Sequence, residues 1–525
     1  MKTKQLFFCS LTGLALLTTS CSSNDEALNG GNGASNDGNT YAQIAISVAN
    51  SATTRADGNN TGDEVFGTDD EYTVNDLTVV LANENDIAMQ VITPTLKKVS
   101  NKDEADKQVR VTEPFTCTPG KYKVYVLANY KNSQSSLSPI IKGSTDMKMV
   151  FGIGEITKLY TENNFFMTNV SAPEEKDIVE KATGKEVNDD GTEKTGGKNV
   201  NLVTVNVERA VSKVTFGNTA DKLSFNIEEG GNIIAKAKLE GVSLINLNNK
   251  MFLVKDGTLA QNKPVTVTTN DWPYPVDPNY YKTKEDADYA TYITDNFTQK
   301  EASSFSAPSD AKFYCPENTM SALAQLNGQT TGVVYKVNYK PEGKYYTELA
   351  AENGTDSYSQ MFEKVLALGD DVRDAAITKT IFTTAEGTDG TNGTFYSYNG
   401  YVFKTKAGAR LYKAIATNPG ADAATVNTAF KSNESDDDIQ TYAEGYCYYT
   451  AWIKHNPGGT TMQQDKYGVV RNFWYELTVN SIKKLGYSKP TYKDPKDPDD
   501  KAEASIQVQV NIKKWRWVKQ NVDLE

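Results

Sequence analysis

The stretch Tyr41-Ala-Gln-Ile-Ala-Ile-Ser-Val-Ala49 indicates a β protein, because its apolar side chains return at every second residue. Ile44, Ile46 and Val48 fall on one face of an extended chain, which is typical of a strand with one buried side. Polar segments rich in Gly and Asn flank the stretch over residues 22–40 and 50–62. The pattern therefore predicts a half-buried β-strand joined to the rest of the chain by flexible linkers.

Similar segments of alternating apolar residues recur along the chain, and they predict a mainly β protein with a few short helices. A phase shift of the apolar pattern near Arg209 predicts that one strand ends there and another begins, so we place a domain boundary after this residue. The charged segment 174–198 predicts a long surface loop. The predicted strands are 77–81, 121–128, 202–207, 332–339, 440–453, 472–479 and 505–512, and the predicted helices are 361–368, 411–417 and 423–430.

Composition argues against several classes of function. A chain of 525 residues is long enough for two large or three average domains. Its 67 acidic and 55 basic residues give a net charge of -12, which argues against nucleic-acid binding. The single histidine, His455, makes acid–base or zinc catalysis a poor starting hypothesis. Its aromatic-rich neighbourhood predicts an edge or loop position rather than an active site.

The first 21 residues indicate export. Lys2 and Lys4 precede a short apolar run over residues 6–17, and Thr18-Thr-Ser-Cys21 then places small residues before a cysteine. This is the pattern of a bacterial lipoprotein signal, with residues 1–20 as signal peptide and Cys21 as the lipidated N-terminus. An ordinary signal peptide with a chance cysteine is the alternative. Elsewhere no stretch is long and apolar enough to span a bilayer, so the predicted membrane contact is through the precursor lipid alone.

The remaining polar motifs predict no catalytic, cofactor or metal site. Beyond the leader the cysteines are Cys117, Cys315 and Cys447, and three cannot all pair, so a disulfide scaffold is not expected. Either Cys315 bonds to Cys447 or the thiols are buried and free. The acidic loop 494–500 offers oxygen ligands for Ca²⁺, but it lacks the spacing of a calcium loop, which favours a solvated loop.

The first strand, the polar linker that follows it and the terminal strand together suggest an assembly mechanism. Arg55, one of only seven arginines, lies in the polar linker after the first strand, where a protease could reach it. The terminal strand carries Ile506, Val508, Val510 and Ile512 on one face and is predicted to stand free. Each buried Ile or Val contributes about 1.5–3 kcal/mol, so burial of their apolar side chains would stabilise the two strands to a similar extent. While the first strand is tethered, its high effective concentration favours it over a strand from another molecule.

A cut at Arg55 would remove that advantage and leave an apolar groove with unpaired backbone groups. The terminal strand of a second copy could fill the groove by β-augmentation. Repeated head to tail, such a contact does not close and builds a fibre. The alternative is that both segments are ordinary sheet strands of a monomer.

The chain resembles the Bacteroidales fimbrillins, the type V pilins, and among them the major structural subunit of the short (minor) fimbria of Porphyromonas-like bacteria. The resemblance runs nearly end to end in short stretches that keep their order. These stretches are the leader at Cys21, Thr54-Arg-Ala56, Val207-Glu-Arg-Ala-Val-Ser-Lys-Val214, Tyr314-Cys-Pro-Glu-Asn-Thr319, Gln329-Thr-Thr-Gly-Val-Val-Tyr335, Tyr448-Tyr-Thr-Ala-Trp-Ile-Lys-His455, Gly468-Val-Val-Arg-Asn-Phe-Trp-Tyr475 and Gln520-Asn-Val-Asp-Leu-Glu525.

The resemblance implies two transthyretin-like β-sandwich domains in tandem, here 56–209 and 210–525, after a lipidated propeptide over residues 21–55. It implies that an Arg-specific extracellular protease cuts after Arg55 and frees Ala56 as the mature N-terminus. The C-terminal strand, 505–512 here, would be the donor in strand exchange. The implied partners are further copies of the chain, anchor and tip proteins of the fimbria, and host or bacterial adhesion receptors. The implied place is the cell-surface fimbria, with an outer-membrane lipoprotein as precursor.

Other functions remain open from the sequence. A monomeric glycan-binding surface lipoprotein would use the aromatic side chains of Tyr446, Tyr448, Tyr449, Trp452 and Trp474. An enzyme would need a pair of acids at a cleft. Within the fimbria, an anchor should keep its lipid and lack the cut site, and a tip subunit needs no donor strand, so having both features favours the stalk.

Overall fold

A computed structural model describes most of the chain from Thr40 onward. The described residues are 40–48, 64–98, 109–255, 274–299, 301–341, 393–403, 406–418, 420–432, 436–490, 492, 494–501 and 506–516. The predictions for residues 1–39, for the linker that contains Arg55 and Ala56, and for the helix over 361–368 lie outside them.

The first half of the described chain consists of strands and short turns. The strands are β1 Thr40–Val48, β2 Glu64–Phe66, β3 Leu77–Ala82, β4 Ala88–Ile92, β5 Val109–Val111, β6 Phe115–Cys117, β7 Gly120–Ala128, β8 Phe151–Gly152, β9 Tyr160–Thr161, β10 Asn164–Phe165, β11 Met167–Asn169, β12 Glu175–Ile178, β13 Gly184–Lys185 and β14 Asn199–Arg209.

The second half adds further strands and the longer helices. The strands are β15 Val211–Phe216, β16 Ser224–Glu229, β17 Asn232–Ile245, β18 Leu247–Asn248, β19 Lys250–Met251, β20 Phe297–Thr298, β21 Lys312–Pro316, β22 Gly332–Pro341, β23 Phe395–Tyr398, β24 Tyr401–Phe403, β25 Gln440–Tyr442, β26 Tyr446–Trp452, β27 Phe473–Ile482 and β28 Ile506–Arg516. The α-helices are α1 Tyr130–Ser133, α2 Tyr289–Asn296, α3 Lys406–Thr417 and α4 Ala423–Lys431, and single 3₁₀ turns cover 69–71, 134–136, 156–159, 220–222, 322–324, 436–438, 443–445 and 499–501.

The prediction of a mainly β fold with a few short helices is confirmed. Each predicted strand overlaps an observed one, because the alternation of β-branched residues reports directly which positions a sheet buries. The prediction of a surface loop over 174–198 is wrong in part. Strands β12 and β13 lie within it, and Val187 is buried although its charged neighbours conceal it in the sequence. No helix among the described residues is long and apolar enough to cross a membrane.

The largest sheet holds the first core. Its strands follow the order β4-β3-β7-β11-β14-β1-β5, with β12, β13 and β6 added at the sides. Strand β14 buries Val203, Val205 and Val207 and exposes Thr204 and Asn206 between them, as a two-residue period requires. These valines pack in one apolar cluster with residues of β1, β3, β7 and β11.

A second core lies between two further sheets, ordered β2-β28-β27-β15-β21 and β16-β17-β22-β26. The first supplies buried side chains such as Tyr475 and Leu477, and the second supplies Val242 and Tyr335. Strand β14 ends at Arg209 and β15 begins at Val211 in a different sheet, where the sequence shows its phase shift. The domain limits placed at this point stay a prediction.

A buried ionic knot joins the two cores. Glu71 is fully buried after β2, and its carboxylate accepts hydrogen bonds from Lys213 Nζ at 2.8 Å and from the hydroxyl of Tyr314. The main-chain oxygen of Glu71 accepts a bond from Arg209 Nε at 2.7 Å, and Arg209 Nη1 donates to Asn472 Oδ1 at 2.8 Å. One acidic residue therefore neutralises charge contributed by the last residue of β14 and by Lys213 of β15.

Candidate functional site

Strand β1 lies inside the large sheet with ladder partners on both edges. Along one edge, Ala42–Val48 pair in parallel with Asn201–Val207 of β14. Along the other edge, Thr40–Ala42 pair with β6 and Ala45–Ser47 pair with β5, both antiparallel. The strand that the sequence marks as removable thus occupies a slot whose two walls would both lose partners if it left.

The side chains of β1 are buried on both faces. Ala42, Ile44 and Ile46 enter the first core and are at most 1% exposed, whereas Ala45 packs on the opposite face against Val111 and Val187. The prediction of a half-buried strand is therefore wrong, because a second layer covers the face that looked polar. For Val48 the backbone pairs with Val207, and its side chain lies outside the described residues.

A buried amide anchors β1 on this second face. Gln43 is 0% exposed, and its Nε2 donates to the main-chain oxygens of Thr112 at 2.9 Å and Val187 at 3.0 Å. The main-chain N–H of Val187 donates back to Gln43 Oε1 at 2.9 Å. The side chain of Thr112 contributes a further bond, since its Oγ1 accepts from Ile44 N at 3.1 Å. Sequence reasoning missed this anchor, although a glutamine among small apolar residues is a signal for it.

Charged side chains fix the segment that carries Val187. The carboxylate of Glu186 accepts Lys97 Nζ at 2.7 Å and Lys194 Nζ at 2.9 Å, and it also accepts the main-chain N–H of Lys198 at 3.2 Å. Burial opposes ionisation, but the two lysines and the N–H outweigh it and lower the pKa of Glu186 to about 2. The ionised carboxylate therefore holds in place the backbone that binds Gln43.

We expect this support to weaken in acid. Because the pKa of Glu186 is lower in the folded protein than the ordinary value of 4.5 for a glutamate, its contribution to stability is complete above about pH 4.5 and is lost as the pH falls toward about 2. Near pH 7, the variant Glu186→Gln should have a free energy of unfolding about 1–3 kcal/mol lower than that of the unchanged protein. Denaturant titrations of both proteins should show the difference closing between about pH 5 and pH 2. A difference independent of pH would contradict the assignment.

The residues of the predicted processing steps lie around β1 in the sequence. Cys21 precedes the strand, and Arg55 and Ala56 follow its last residue by seven and eight positions. All three lie outside the described residues. The described chain resumes at β2, whose residues Glu64–Phe66 pair in parallel with Lys514–Arg516 of β28.

The prediction that the terminal strand stands free is wrong. Strand β28 forms an antiparallel ladder with β27 from Ile506 to Lys514, because its alternating apolar residues serve the second core of the same chain. Val510 is 5% exposed, and Ile506 and Val508 pack partly buried against that core. The side chain of Ile512 lies outside the described residues. The structure does not bring the two predicted strands together, since β1 and β28 belong to different sheets.

His455 lies in a bend after β26, as the prediction of an edge or loop position has it, but its side chain is buried. It is 0% exposed, its Nδ1 shares a 2.7 Å hydrogen bond with the hydroxyl of Tyr475, and its ring packs on those of Tyr274 and Phe473. The apolar residues Trp452 and Ile453 just before it continue β26 into the core, which explains the burial.

The three described cysteines are buried and free. Burial raises the pKa of the Cys117 thiol to about 11 and the pKa values of Cys315 and Cys447 to about 12. Of the two alternatives left by the sequence, the structure therefore has the free thiols and not the Cys315–Cys447 disulfide. Thiols in this state are poor nucleophiles and poor metal ligands.

Buried carboxylates in the second half are engaged by the protein itself. Asp277 accepts hydrogen bonds from Asn248 Nδ2 and from the main-chain N–H groups of Asn279 and Thr319, and burial raises its pKa to about 8. Glu317 forms an ion pair with the buried Arg471 at 3.1 Å. These contacts tie loops to the sheets.

The acidic loop 494–500 is exposed at Asp494 and Lys496 and turns inward at its C-terminal end. Asp499 is 1% exposed and accepts a bond from Thr330 Oγ1 at 2.5 Å. Asp500 binds Lys466 Nζ at 2.6 Å and the hydroxyl of Tyr467 at 2.7 Å. Over the described residues, no three His, Cys, Asp or Glu side chains lie close enough together to hold a metal ion.

The aromatic residues considered for glycan binding are occupied. Tyr449 and Trp452 are buried, at 2% and 6% exposure. Trp474 donates from Nε1 to Thr215 Oγ1 and lies under the ammonium of Lys213. Tyr446 donates to Glu240, and the ring of Tyr448 packs against that of Phe305 with centroids 5.7 Å apart. Two of the five rings are therefore buried, and the other three are partly buried and contact side chains of the same chain.

Two family models of known proteins match separate segments of this chain. Residues 42–209 match the family model described as major fimbrial subunit protein (FimA). Residues 440–521 match the model described as major fimbrial subunit protein type IV, fimbrillin, C-terminal. A comparison with curated proteins gives no significant match.

Several solved structures of bacterial proteins are similar to this chain. A proposed cell adhesion protein from Parabacteroides distasonis is 12% identical with a TM-score of 0.41, and the alignment covers 92% of this chain and 99% of that chain. A fimbrilin (fimA) from Porphyromonas gingivalis is 12% identical with a TM-score of 0.36, covering 91% and 99%. The tip fimbrial protein Mfa3 from Porphyromonas gingivalis, truncated at its C-terminus, is 12% identical with a TM-score of 0.30, covering 91% and 100%.

At these identities and TM-scores, the assignment rests on the two family models and not on the solved structures. The first model begins within β1 and ends with β14, and the second begins with β25 and extends through β28. The chain belongs to the fimbrillin family of fimbrial subunits.

Proposed function

We propose that this fimbrial subunit forms the stalk of a cell-surface fimbria by exchange of strands between copies. It is exported as a lipoprotein precursor with lipid on Cys21, and an Arg-specific extracellular protease cuts it after Arg55. The mature chain begins at Ala56 and leaves β1 behind with the lipid. The C-terminal strand of a second copy, through Ile506, Val508, Val510 and Ile512, then occupies the slot.

The position of β1 carries this proposal. A strand that precedes the cut site fills the interior of a sheet, with both edges paired and Ile44 and Ile46 buried. Its loss would expose an apolar slot and the ladder groups of β14 on one wall and β5 and β6 on the other. Exposed ladder groups beside buried apolar positions are the features that recruit an extended segment from another chain.

The donor strand must leave its own sheet to take part. Among the described residues, β28 has a ladder partner on one edge only from Ile506 to Lys513, since β27 pairs with it there and β2 reaches only Lys514–Arg516. Over this part of β28 each position has one neighbouring strand to leave, whereas β1 has neighbouring strands on both edges. Exchange then replaces the ladder with β27 by a ladder on both edges of the slot in the next copy.

The proposed surroundings follow from this assembly. Each copy contacts the next head to tail, anchor and tip proteins of the fimbria contact the two ends of the stalk, and adhesion receptors on host cells or other bacteria contact the finished fibre. The description of both matching families as major fimbrial subunits favours the stalk over a tip or anchor role.

Protein sheared from the cell surface provides the direct test. We expect polymers whose subunits begin at Ala56 by N-terminal sequencing and carry no acyl chain by mass spectrometry. Precursor retained in the membrane should carry the acyl chain on Cys21. Surface material made of single acylated molecules would contradict the proposal.

A further inference from the structure

Removal of β1 would uncover three polar main-chain groups besides the ladder. Thr112 and Val187 each direct a carbonyl oxygen at Gln43, and Val187 also directs its N–H there. All three residues are buried, with Gln43 and Thr112 at 0% and Val187 at 3% exposure. We call these three groups the amide socket. A replacement strand that leaves them without partners loses affinity, because buried unpaired polar groups are unfavourable.

The socket specifies the chemistry of its occupant. Two acceptors and one donor together require a side chain with two N–H groups and one oxygen on a planar group. Among the side chains, the primary amides of Gln and Asn provide that set. Gln43 reaches both carbonyls from its place on β1, and Asn is shorter by one methylene group.

The terminal strand carries amides on the matching face. In Ile506-Gln-Val-Gln-Val-Asn-Ile512, the amides alternate with the apolar residues of the proposed donor. Aligned in the same direction with Ala42-Gln-Ile-Ala-Ile-Ser-Val48, this segment places Gln507 at Gln43, and it places Val508 and Val510 at Ile44 and Ile46. The apolar positions stay apolar, and the amide falls on the socket.

Two other alignments fit less well. Reversing the strand over the same seven positions places the shorter Asn511 at the socket. Shifting it by two residues places Gln509 there but moves Lys513 and Lys514 to the places of Ser47 and Val48. On the proposed function stated above, we therefore propose that Gln507 of the donor copy binds the amide socket and sets the register of the joint between subunits.

In this register, Gln509 meets a less favourable position than Gln507 does. Gln509 then replaces Ala45, which is 0% exposed and packs against Val111 and Val187. A side chain with four more heavy atoms crowds that place. Gln507 should therefore strengthen the joint, whereas Gln509 should weaken it.

Peptide binding to the cut protein tests the register. Fluorescent peptides with residues 505–514 are added to protein cleaved after Arg55 and freed of residues 1–55. We expect Gln507→Leu, which keeps the volume and removes the amide, to bind about tenfold or more weakly than the unchanged peptide. We expect Gln509→Ala to bind at least as tightly as the unchanged peptide. Equal binding of the Gln507→Leu peptide, or a loss confined to Gln509→Ala, would overturn the assignment.

A peptide with residues 40–48 separates this inference from the proposed function. It should rebind the cut protein, and its Gln43→Leu form should bind about tenfold or more weakly, which tests the socket without the donor. If the 40–48 peptide binds and the 505–514 peptide does not, strand exchange by this tail is refuted, and the role of Gln507 falls with it. If both peptides bind and neither needs its glutamine, strand exchange stands and the socket is refuted.

The same substitution in the full chain checks the joint. Uncut protein with Gln507→Leu should match the unchanged protein in thermal unfolding and should polymerise more slowly after the cut. Slow polymerisation that is rescued by Gln509→Ala in the same chain would support the register. Polymerisation at the unchanged rate would overturn it.

Discussion

Cells that produce the Arg55→Ala variant are expected to display uncut, acylated monomers and no polymer. The linker keeps β1 attached, so β1 competes for its slot at an effective concentration on the order of millimolar. At micromolar subunit concentrations, a strand from another copy is then disfavoured about a thousandfold. Burial of Ile44 and Ile46 in the core and the hydrogen bonds of Gln43 in the amide socket stabilise β1 further.

Electron microscopy and size-exclusion chromatography of surface extracts would measure the loss of polymer. As a matched control, residues 53–57 are replaced by the recognition sequence of an unrelated protease. This second variant should stay monomeric until that protease is added and should polymerise afterwards. Polymers built from Arg55→Ala subunits that still begin upstream of Ala56 would show that removal of β1 is not required.

The variant Glu71→Ala is expected to lower the free energy of unfolding by about 3–5 kcal/mol. The substitution removes the carboxylate that neutralises Lys213, a residue that is 4% exposed, and it removes the acceptor for the hydroxyl of Tyr314. The cationic Arg209, which is 0% exposed, also loses this nearby negative charge. Because the knot joins both cores, we expect their unfolding transitions to lose stability together.

Denaturant titration followed by intrinsic tryptophan fluorescence would measure the change. Glu174→Ala is the control, since its carboxylate is 88% exposed and forms only a loose ion pair at 3.8 Å with Lys176. That control should stay within about 0.5 kcal/mol of the unchanged protein. A loss below about 1 kcal/mol for Glu71→Ala would mean that the knot adds little net stability.

Local patterns predicted the strands well, because burial in a sheet imposes a period of two on the sequence. The alternation of Ile44 and Ile46 located β1, and that of Val508 and Val510 located β28. The same patterns failed on which strands pair, since partners are set by the topology of the sheets. Strand β28 pairs within its own chain with β27, and no local pattern identifies this partner.

Long-range polar contacts were beyond the sequence as well. Gln43 looked like a solvent-facing residue, because its partners Thr112 and Val187 lie 69 and 144 positions away. Val187 lies in a charged segment that looked like a loop, and only the folded chain shows that Lys97 and Lys194 neutralise Glu186 beside it. The burial of His455 was beyond the sequence for a similar reason, since its partner Tyr475 lies 20 positions away on β27.

The burial of Cys117, Cys315 and Cys447 has a practical consequence for labelling. From Ala56 onward these are the cysteines of the chain, and their raised pKa values keep the thiols protonated at neutral pH. A maleimide dye should therefore react at neutral pH with one cysteine introduced on the surface and spare the native ones. Single-molecule fluorescence of growing fibres then requires no cysteine-free background, and dye uptake by the unmodified chain reports unfolding.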